Sequence, residues 1–287
     1  MAKFSNQTLW TMKTLISLII SVTMATAACA QFRAMTYNIK YDDKNDTINS
    51  WQNRRDVIVG LIDFHQVTVL GVQEALHHQI QYLQQQLTSF EVIGIGREGG
   101  KQGEYSAIFY QKDKLEVLEQ NTFWLSSTPQ QVSIGWDAAL PRICTWAKFQ
   151  NKDNGKEFYL FNTHFDHAGI EARLNSAKLL ITKIKLIAGN SPVVFMGDLN
   201  FTPDKAPYAI LTDQGNLKDS YAISKTKPYG LEGTFNAFYF CDLPTRRIDY
   251  IFVNNGIEIN QYGVLTDNYG LKYPSDHFPV MVEVNQQ

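Results

Sequence analysis

Two periodicities alternate along the chain, and their spacing predicts its main elements. Short runs rich in β-branched and aromatic residues read as strands. They are FRAMTYNI, VTVLGVQE, FEVIGIG, YSAIFYQ, ICTWAKFQ, FYLFNTHF, PVVFMGDLN, RIDYIFVN and FPVMVEV. Three segments carry apolar residues at helical spacing instead. RRDVIVGLIDF places Val57, Leu61 and Phe64 on one face, and HHQIQYLQQQL groups Ile80, Leu83 and Leu87. The third runs through Leu174, Ala177, Ile181, Ile184 and Ile187 and stops at Gly189. Strictly alternating βα units would give one doubly wound parallel sheet. Here strand runs follow one another directly, from Phe90 to Leu125 and from Ile143 to Phe165. That order predicts an α/β architecture of two packed sheets with helices on the outer faces.

The N-terminus follows a different pattern. MKTLISLIISVTMATAACAQ has Lys13, an apolar run from Leu15 to about Met24, and small residues ending Ala28-Cys29-Ala30. This is the pattern of a signal peptide over residues 1–30, cleaved before Gln31, with Met12 as a second candidate start. The apolar run is short for a membrane span. The expectation is export to the periplasm or the medium. The alternatives are an uncleaved anchor and a lipoprotein at Cys29, against which Thr26 stands where a bulky aliphatic is expected. Residues 31–287 contain no Pro/Gly/Ser-rich linker and no fixed repeat, which predicts one domain.

Charge narrows the partners. The formal net charge is −2, and loss of residues 1–30 removes Lys3 and Lys13 and no acid, leaving −4. No global field draws such a protein to nucleic acid or an anionic membrane, although a local basic cleft is compatible with this balance. Cys144 and Cys241 remain after the signal is lost, as either a disulfide or two free thiols.

The chemistry lies where strands end. MTYNI carries Asn38, VLGVQE ends on Glu74, and FNTHFDH ends with His164, Asp166 and His167. VVFMGDLN ends with Asp198 and Asn200, RIDYIF sets Asp249 between Ile248 and Tyr250, and SDHFPV opens with Asp276-His277. One polar strand end is an ordinary turn starter. Six of them predict a shared cleft, because a buried acid or amide is costly unless it is paired or bound to a cation. Carboxylate and amide oxygens without a cysteine cluster suit Mg²⁺, Mn²⁺ or Ca²⁺ better than structural zinc. A hard cation with imidazoles is the equipment for hydrolysing a phosphate ester.

In this order, MTYNI, GVQE, NTHFDH, MGDLN, RIDYIFV and SDHFPV resemble the motif series of the endonuclease/exonuclease/phosphatase superfamily. The resemblance spans about Phe32 to Val284. It implies a four-layer α/β sandwich, two mixed sheets flanked by helices. It implies that Glu74 ligates a catalytic Mg²⁺ (Mn²⁺ as a substitute), with Asn38 and Asp276 near the same ion. Asp198 would position or deprotonate the attacking water, and Asn200 would hold a phosphoryl oxygen. His277 would contact the scissile phosphate, oriented by Asp249. His164 would be a second imidazole at the phosphate or the acid that aids the leaving group. Arg142 is a candidate phosphate clamp. Tyr105 and Glu104 are candidates for the cleft lining, and His167 for substrate contact. Asp166 and His167 could instead hold their loop closed through Arg173.

The resulting expectation is a secreted Mg²⁺-dependent phosphoesterase, favouring diesters, with nucleic acid among the open substrates and the oligomeric state left open. NTHFDH resembles the deadenylase-like and bacterial branch more than pancreatic-type deoxyribonuclease. The alternatives are a phosphomonoesterase on sugar or inositol phosphates, and a non-catalytic binding protein that recognises phosphorylated glycans on the same scaffold.

Overall fold

The computed structural model describes residues 31–286, so the expected signal peptide lies outside the described residues. Two six-stranded sheets pack face to face. The first has the order β11-β12-β1-β2-β4-β3 and the second β5-β6-β7-β8-β10-β9. In chain order the strands are β1 (Gln31–Asn38), β2 (Val69–Ala75), β3 (Phe90–Ile93), β4 (Tyr105–Gln111), β5 (Leu115–Trp124) and β6 (Ile143–Asn151). They continue with β7 (Glu157–His164), β8 (Val193–Asp198), β9 (Lys218–Asp219), β10 (Asp249–Val253), β11 (Ile257–Val264) and β12 (Val280–Gln286). The three long helices are α1 (Trp51–Phe64), α2 (His77–Gln86) and α3 (Ile170–Ala188).

Three apolar clusters show the layering. Phe32, Ala34 and Val282 of the first sheet meet Phe149, Phe158 and Met196 of the second in the central layer. Leu61 and Ile62 of α1 and Leu83 of α2 cover the outer face of the first sheet. Ala177, Leu180 and Ile184 of α3 cover the second. The inner strands are therefore buried on both faces, which is why they read as continuous apolar runs rather than strict alternation. All nine strand runs and all three helices expected from periodicity are present. The strands that periodicity missed, β5, β9 and β11, belong to the sheet margins. Marginal strands have a solvent face and accept polar residues, and β5 leaves Glu116 and Glu119 to Asn121 largely in water.

Each sheet has one parallel pair joined by a helical crossover. These are β1 and β2 through α1, and β7 and β8 through α3. Parallel strands end on the same side, so each pair delivers two C-terminal ends to one edge of the sandwich. Strand β12 runs antiparallel to β1, and β10 runs antiparallel to β8. Their starts therefore reach the same edge.

Candidate active site

Register places the polar strand ends. Asn38 ends β1, and Glu74 leaves β2 at a bulge between Gln73 and Ala75. On the second sheet His164, Asp198 and Asp249 stand side by side, since Asp198 pairs with both neighbours in register. Asp276 and His277 lie in the turn that enters β12. Gly197 permits this convergence, because a Cβ there would lie 2.0 Å from the Thr163 carbonyl oxygen on β7. Lys40, Glu74 and Asn200 adopt positive φ of 59°, 65° and 52°. Such conformations cost roughly 1–2 kcal/mol each for a non-glycine residue. Local bonds hold all three: Lys40 N donates to Asn38 Oδ1 at 3.1 Å, Tyr41 N to Glu74 Oε2 at 3.2 Å, and Asn200 N to Asp198 Oδ1 at 3.0 Å.

At the centre, Asn38 Nδ2 donates to Glu74 Oε1 and to Asp198 Oδ2, both at 3.0 Å. His277 Nδ1 lies 2.9 Å from Asp249 Oδ2, and its Nε2 lies 3.7 Å from Asp198 Oδ2. Burial works against the charged ring of His277. Asp249 and Asp198 outweigh it and push the imidazole up to about 10. His277 is thus an imidazolium at neutral pH, donating Nδ1–H to Asp249 and presenting Nε2–H to the cleft. Burial and the Asp249 charge act the other way on Asp198 and raise it to about 7.

His164 differs from His277. Its Nε2 lies 3.0 Å from Asn200 Nδ2 and 3.4 Å from Asp198 Oδ2. Burial first, then the Arg142 charge, holds it well below the usual histidine range. A neutral imidazole of this kind is suited to hydrogen bonding and ill suited to supplying a proton near neutrality. The leaving-group acid expected as one option for His164 has no support in this environment.

The donor set fits a hard divalent cation. Glu74 Oε2 and Asp276 Oδ2 both face the Lys40 ammonium, at 3.5 and 3.4 Å, so two carboxylates from different strand ends already converge on one positive charge. The Asn38 amide lies beside them. Glu74, Asp198 and His277 also lie within 4.8 Å of one another. A doubly protonated His277 has no lone pair to offer, so the oxygen set of Glu74, Asp276 and Asn38 is the better match.

Lys40, Glu74, His164, Asp198, Asp276 and His277 line a cleft of about 550 Å³ that also contains Arg97, Arg142, Arg246, Glu104, His167 and Phe235. Arg142 donates from Nε to Asp166 Oδ2 at 3.2 Å, and its Nη2 lies 3.0 Å from His167 Nδ1. Arg173 donates to the Asp166 carbonyl at 2.8 Å, so the DHAGIEAR loop is tied down from two sides. Arg97 meets Glu104 Oε2 at 2.7 Å, and burial raises the Glu104 carboxyl above its ordinary range despite that partner. Tyr105 is turned away from the cleft. Its hydroxyl is 3.0 Å from His77 Nδ1 and 3.3 Å from the Gly100 carbonyl, leaving Glu104 as the residue of this pair that lines the cleft. A hollow of about 510 Å³ around Arg33, Gln66 and Glu283 sits at the opposite end of β1 and gathers no comparable set. Cys144 and Cys241 are both free, the first buried and the second exposed, so the disulfide option does not hold.

The arrangement of two strand pairs ending in one acid, amide and imidazole cluster matches known proteins. A sequence model described as the endonuclease/exonuclease/phosphatase family matches residues 35–277. The chain belongs to this family. A solved mannosyl-6-phosphatase of Bacteroides thetaiotaomicron is 40% identical, with a TM-score of 0.86 over 88% of this chain and 99% of that one. A second Bacteroides thetaiotaomicron structure, of an endonuclease/exonuclease/phosphatase family protein, is 39% identical with a TM-score of 0.87, covering 90% of this chain and 98% of that one. An uncharacterized protein of Acanthamoeba polyphaga mimivirus is 27% identical over 82% of this chain and 92% of its own length. Family members act on phosphate esters and typically depend on a divalent metal. This member is a phosphoesterase with an acidic and imidazole cluster of the matching kind.

Sequence reasoning missed Lys40 and Arg54. Lys40 follows an apolar strand and reads as a solvated turn residue. Its two acidic neighbours come from positions 74 and 276, too distant in sequence to signal a contact. Arg54 reads as part of an ordinary amphipathic helix. Arg246 is exposed, with its guanidinium 5.5 Å from the centre of the Phe235 ring at the cleft mouth.

Proposed function

We propose that the chain is a Mg²⁺-dependent phosphomonoesterase acting on a phosphorylated sugar, with Mn²⁺ able to replace Mg²⁺. The observation that carries this reading is the charge around the cleft. Lys40, Arg97, Arg142, Arg246 and the His277 imidazolium line one compact space together with Glu74, Glu104, Asp198 and Asp276, and a divalent cation on the acids would leave it clearly positive. A terminal phosphate carries about −1.5 to −2 near neutral pH, as phosphorylated side chains do, whereas a diester carries only one charge. Past His167 the cleft opens into an adjoining hollow of about 550 Å³, floored by Leu174, Phe201 and Pro207 and edged by Arg173 and Lys205. Apolar surface with nearby donors suits a ring that has a C–H face and hydroxyls. The similarity to a mannosyl-6-phosphatase over nearly the whole chain points the same way.

In this proposal Glu74, Asp276 and Asn38 hold the cation, which supplies charge neutralisation at the phosphoryl group. Asp198, raised to about 7, accepts the proton of the attacking water as the bond from phosphorus to the sugar oxygen breaks, and the departing oxygen takes a proton from solvent; a base with a pKa near the working pH is most effective. Asn38 fixes the Asp198 carboxylate by donating to it. His277 donates Nε2–H to a phosphoryl oxygen and brings positive charge to where negative charge develops. Asp249 keeps that ring charged and oriented. Asn200 and neutral His164 border the site of a second phosphoryl oxygen, tied to each other at 3.0 Å and to the Phe165 carbonyl through Asn200 Nδ2. Arg142, anchored by Asp166, clamps the phosphate.

Phosphate release from mannose 6-phosphate and p-nitrophenyl phosphate, beside hydrolysis of bis(p-nitrophenyl) phosphate, tests the reading. Mg²⁺-dependent turnover of the monoesters well above the diester is expected. Preferential turnover of the diester would return the assignment to the phosphodiesterase that sequence alone favours. Export is a separate part of the proposal and rests on the pattern of residues 1–30. N-terminal sequencing of the mature protein should begin at Gln31. Among the described residues, no helix is long and apolar enough to cross a membrane.

A further inference from the structure

We propose that Arg54 is a positioning residue that sets the spacing of the two segments carrying Asn38 and Asp276, and through them the strength of cation binding. This rests on the metal-dependent reading above. Arg54 is the largest fully buried side chain among the described residues, with no exposed surface. A guanidinium in such a place normally has a carboxylate partner. Here its bonds go to four backbone carbonyls. Nε donates to Asn49 O at 2.6 Å, Nη1 to Ile39 O at 2.7 Å and Pro274 O at 2.8 Å, and Nη2 to Lys40 O at 3.2 Å.

Those carbonyls belong to the parts of the chain that carry the oxygen set. Ile39 and Lys40 directly follow Asn38, and Lys40 N holds the Asn38 side chain. Pro274 lies two residues before Asp276. Nη1 therefore bridges the end of β1 to the turn that enters β12 through a single atom. A third segment closes over the bridge. Asn236 N and Ala237 N donate to the Asp276 carbonyl at 2.8 and 3.0 Å, while the Phe238 ring lies 5.6 Å from the Arg54 guanidinium. Trp51 flanks the same guanidinium at 5.8 Å. A lysine would keep the charge but not the planar fork of five donors, so it cannot hold carbonyls from separate segments at fixed spacing. A plain packing role would be met by an apolar side chain without burying a charge.

The test is Mn²⁺ binding to Arg54→Lys, measured by electron paramagnetic resonance below its melting temperature, where its circular dichroism matches the wild type. A loss of affinity of roughly tenfold to a hundredfold is expected, the range for groups that orient metal ligands. The KM for p-nitrophenyl phosphate at saturating metal should stay near the wild-type value. A variant that melts earlier but binds Mn²⁺ with unchanged affinity would overturn the proposal and leave Arg54 a purely structural residue. Should Arg54→Lys fail to fold, Ser275→Ala cuts a second tie between the same segments, the 2.6 Å bond from Ser275 Oγ to Asn38 O. Weakened Mn²⁺ binding in that variant supports the proposal, and unchanged binding overturns it. A wild-type protein that binds no Mn²⁺ would instead remove the metal-dependent reading, and the inference with it.

Discussion

Asp249→Asn isolates the electrostatics of the site with almost no change of shape. Asp249 is fully buried and accepts from His277 Nδ1 at 2.9 Å. The rise of His277 from its ordinary 6.5 to about 10 corresponds to roughly 5 kcal/mol in favour of the imidazolium, net of the burial that opposes it. Asp249 and Asp198 share that effect, and Asp249 is the larger contributor and the closer carboxylate. Its neutralisation should remove the larger share of this, roughly 3 kcal/mol or more, and bring the ring down to about 8 or below. At pH 8.5 most of the variant would then carry a neutral His277, and the charged donor at the phosphate would be lost. Loss of one such donor costs about 10²–10³ in kcat. The assay is paired: imidazole titration by nuclear magnetic resonance, and kcat on p-nitrophenyl phosphate at saturating metal. A variant whose His277 still titrates near 10, or whose kcat stays within a few-fold of wild type, would refute the reasoning.

Other outcomes follow from the same geometry. Asp198→Asn should abolish most turnover and yet stabilise the metal-free protein at pH 7, by roughly 1–3 kcal/mol after allowance for its coupling to His277. The sign follows from a carboxyl whose folded value of about 7 lies above its ordinary 3.8: its protonated form is favoured by folding, so stability falls as pH rises between those values. Thermal melts in EDTA at pH 4 and pH 7 check this. His277 contributes stability that is complete below 6.5 and lost as pH rises through about 10, so the metal-free wild type should lose stability over that window and Asp249→Asn should lose less. Glu74→Gln should weaken Mg²⁺ activation by tenfold or more in a metal titration of initial rates, with activity partly recovered at high Mg²⁺. Arg142→Lys should raise KM for a sugar phosphate by about tenfold, since a lysine cannot bond Asp166 and clamp phosphate with one planar fork.

The fold was legible in the sequence wherever burial imposed a period. The inner strands β1, β2, β7, β8 and β10 read clearly because both their faces are covered. Three of the four edge strands, β5, β9 and β11, did not, because water at a sheet margin relaxes the constraint on composition, whereas the edge strand β3 kept Phe90 and Ile93 buried and was read. The polar strand ends stood out for the opposite reason: Asn38, Asp198 and Asp249 interrupt apolar runs where polarity is costly. Residues joined only by tertiary contact gave no local signal. Lys40 meets carboxylates far along the chain, and Arg54 bonds backbone carbonyls, which leave no trace in side-chain pattern. Asn162 is another such case, since it reaches from the second sheet to the Val72 and Ala107 carbonyls of the first. Of the adjacent pair Glu104 and Tyr105, Glu104 lies in the loop just before β4 and lines the cleft, while the Tyr105 hydroxyl bonds to His77, a contact that sequence spacing does not reveal.

The most direct measurement is the release of inorganic phosphate from mannose 6-phosphate by the protein beginning at Gln31. It would be followed with Mg²⁺, with EDTA, and with Asp198→Ala at matched concentration. The account predicts turnover that needs the metal, disappears in EDTA, returns when Mg²⁺ is restored, and falls by about 10² or more in the variant. Phosphate release that persists in EDTA, or that is the same in Asp198→Ala as in the wild type, would contradict it.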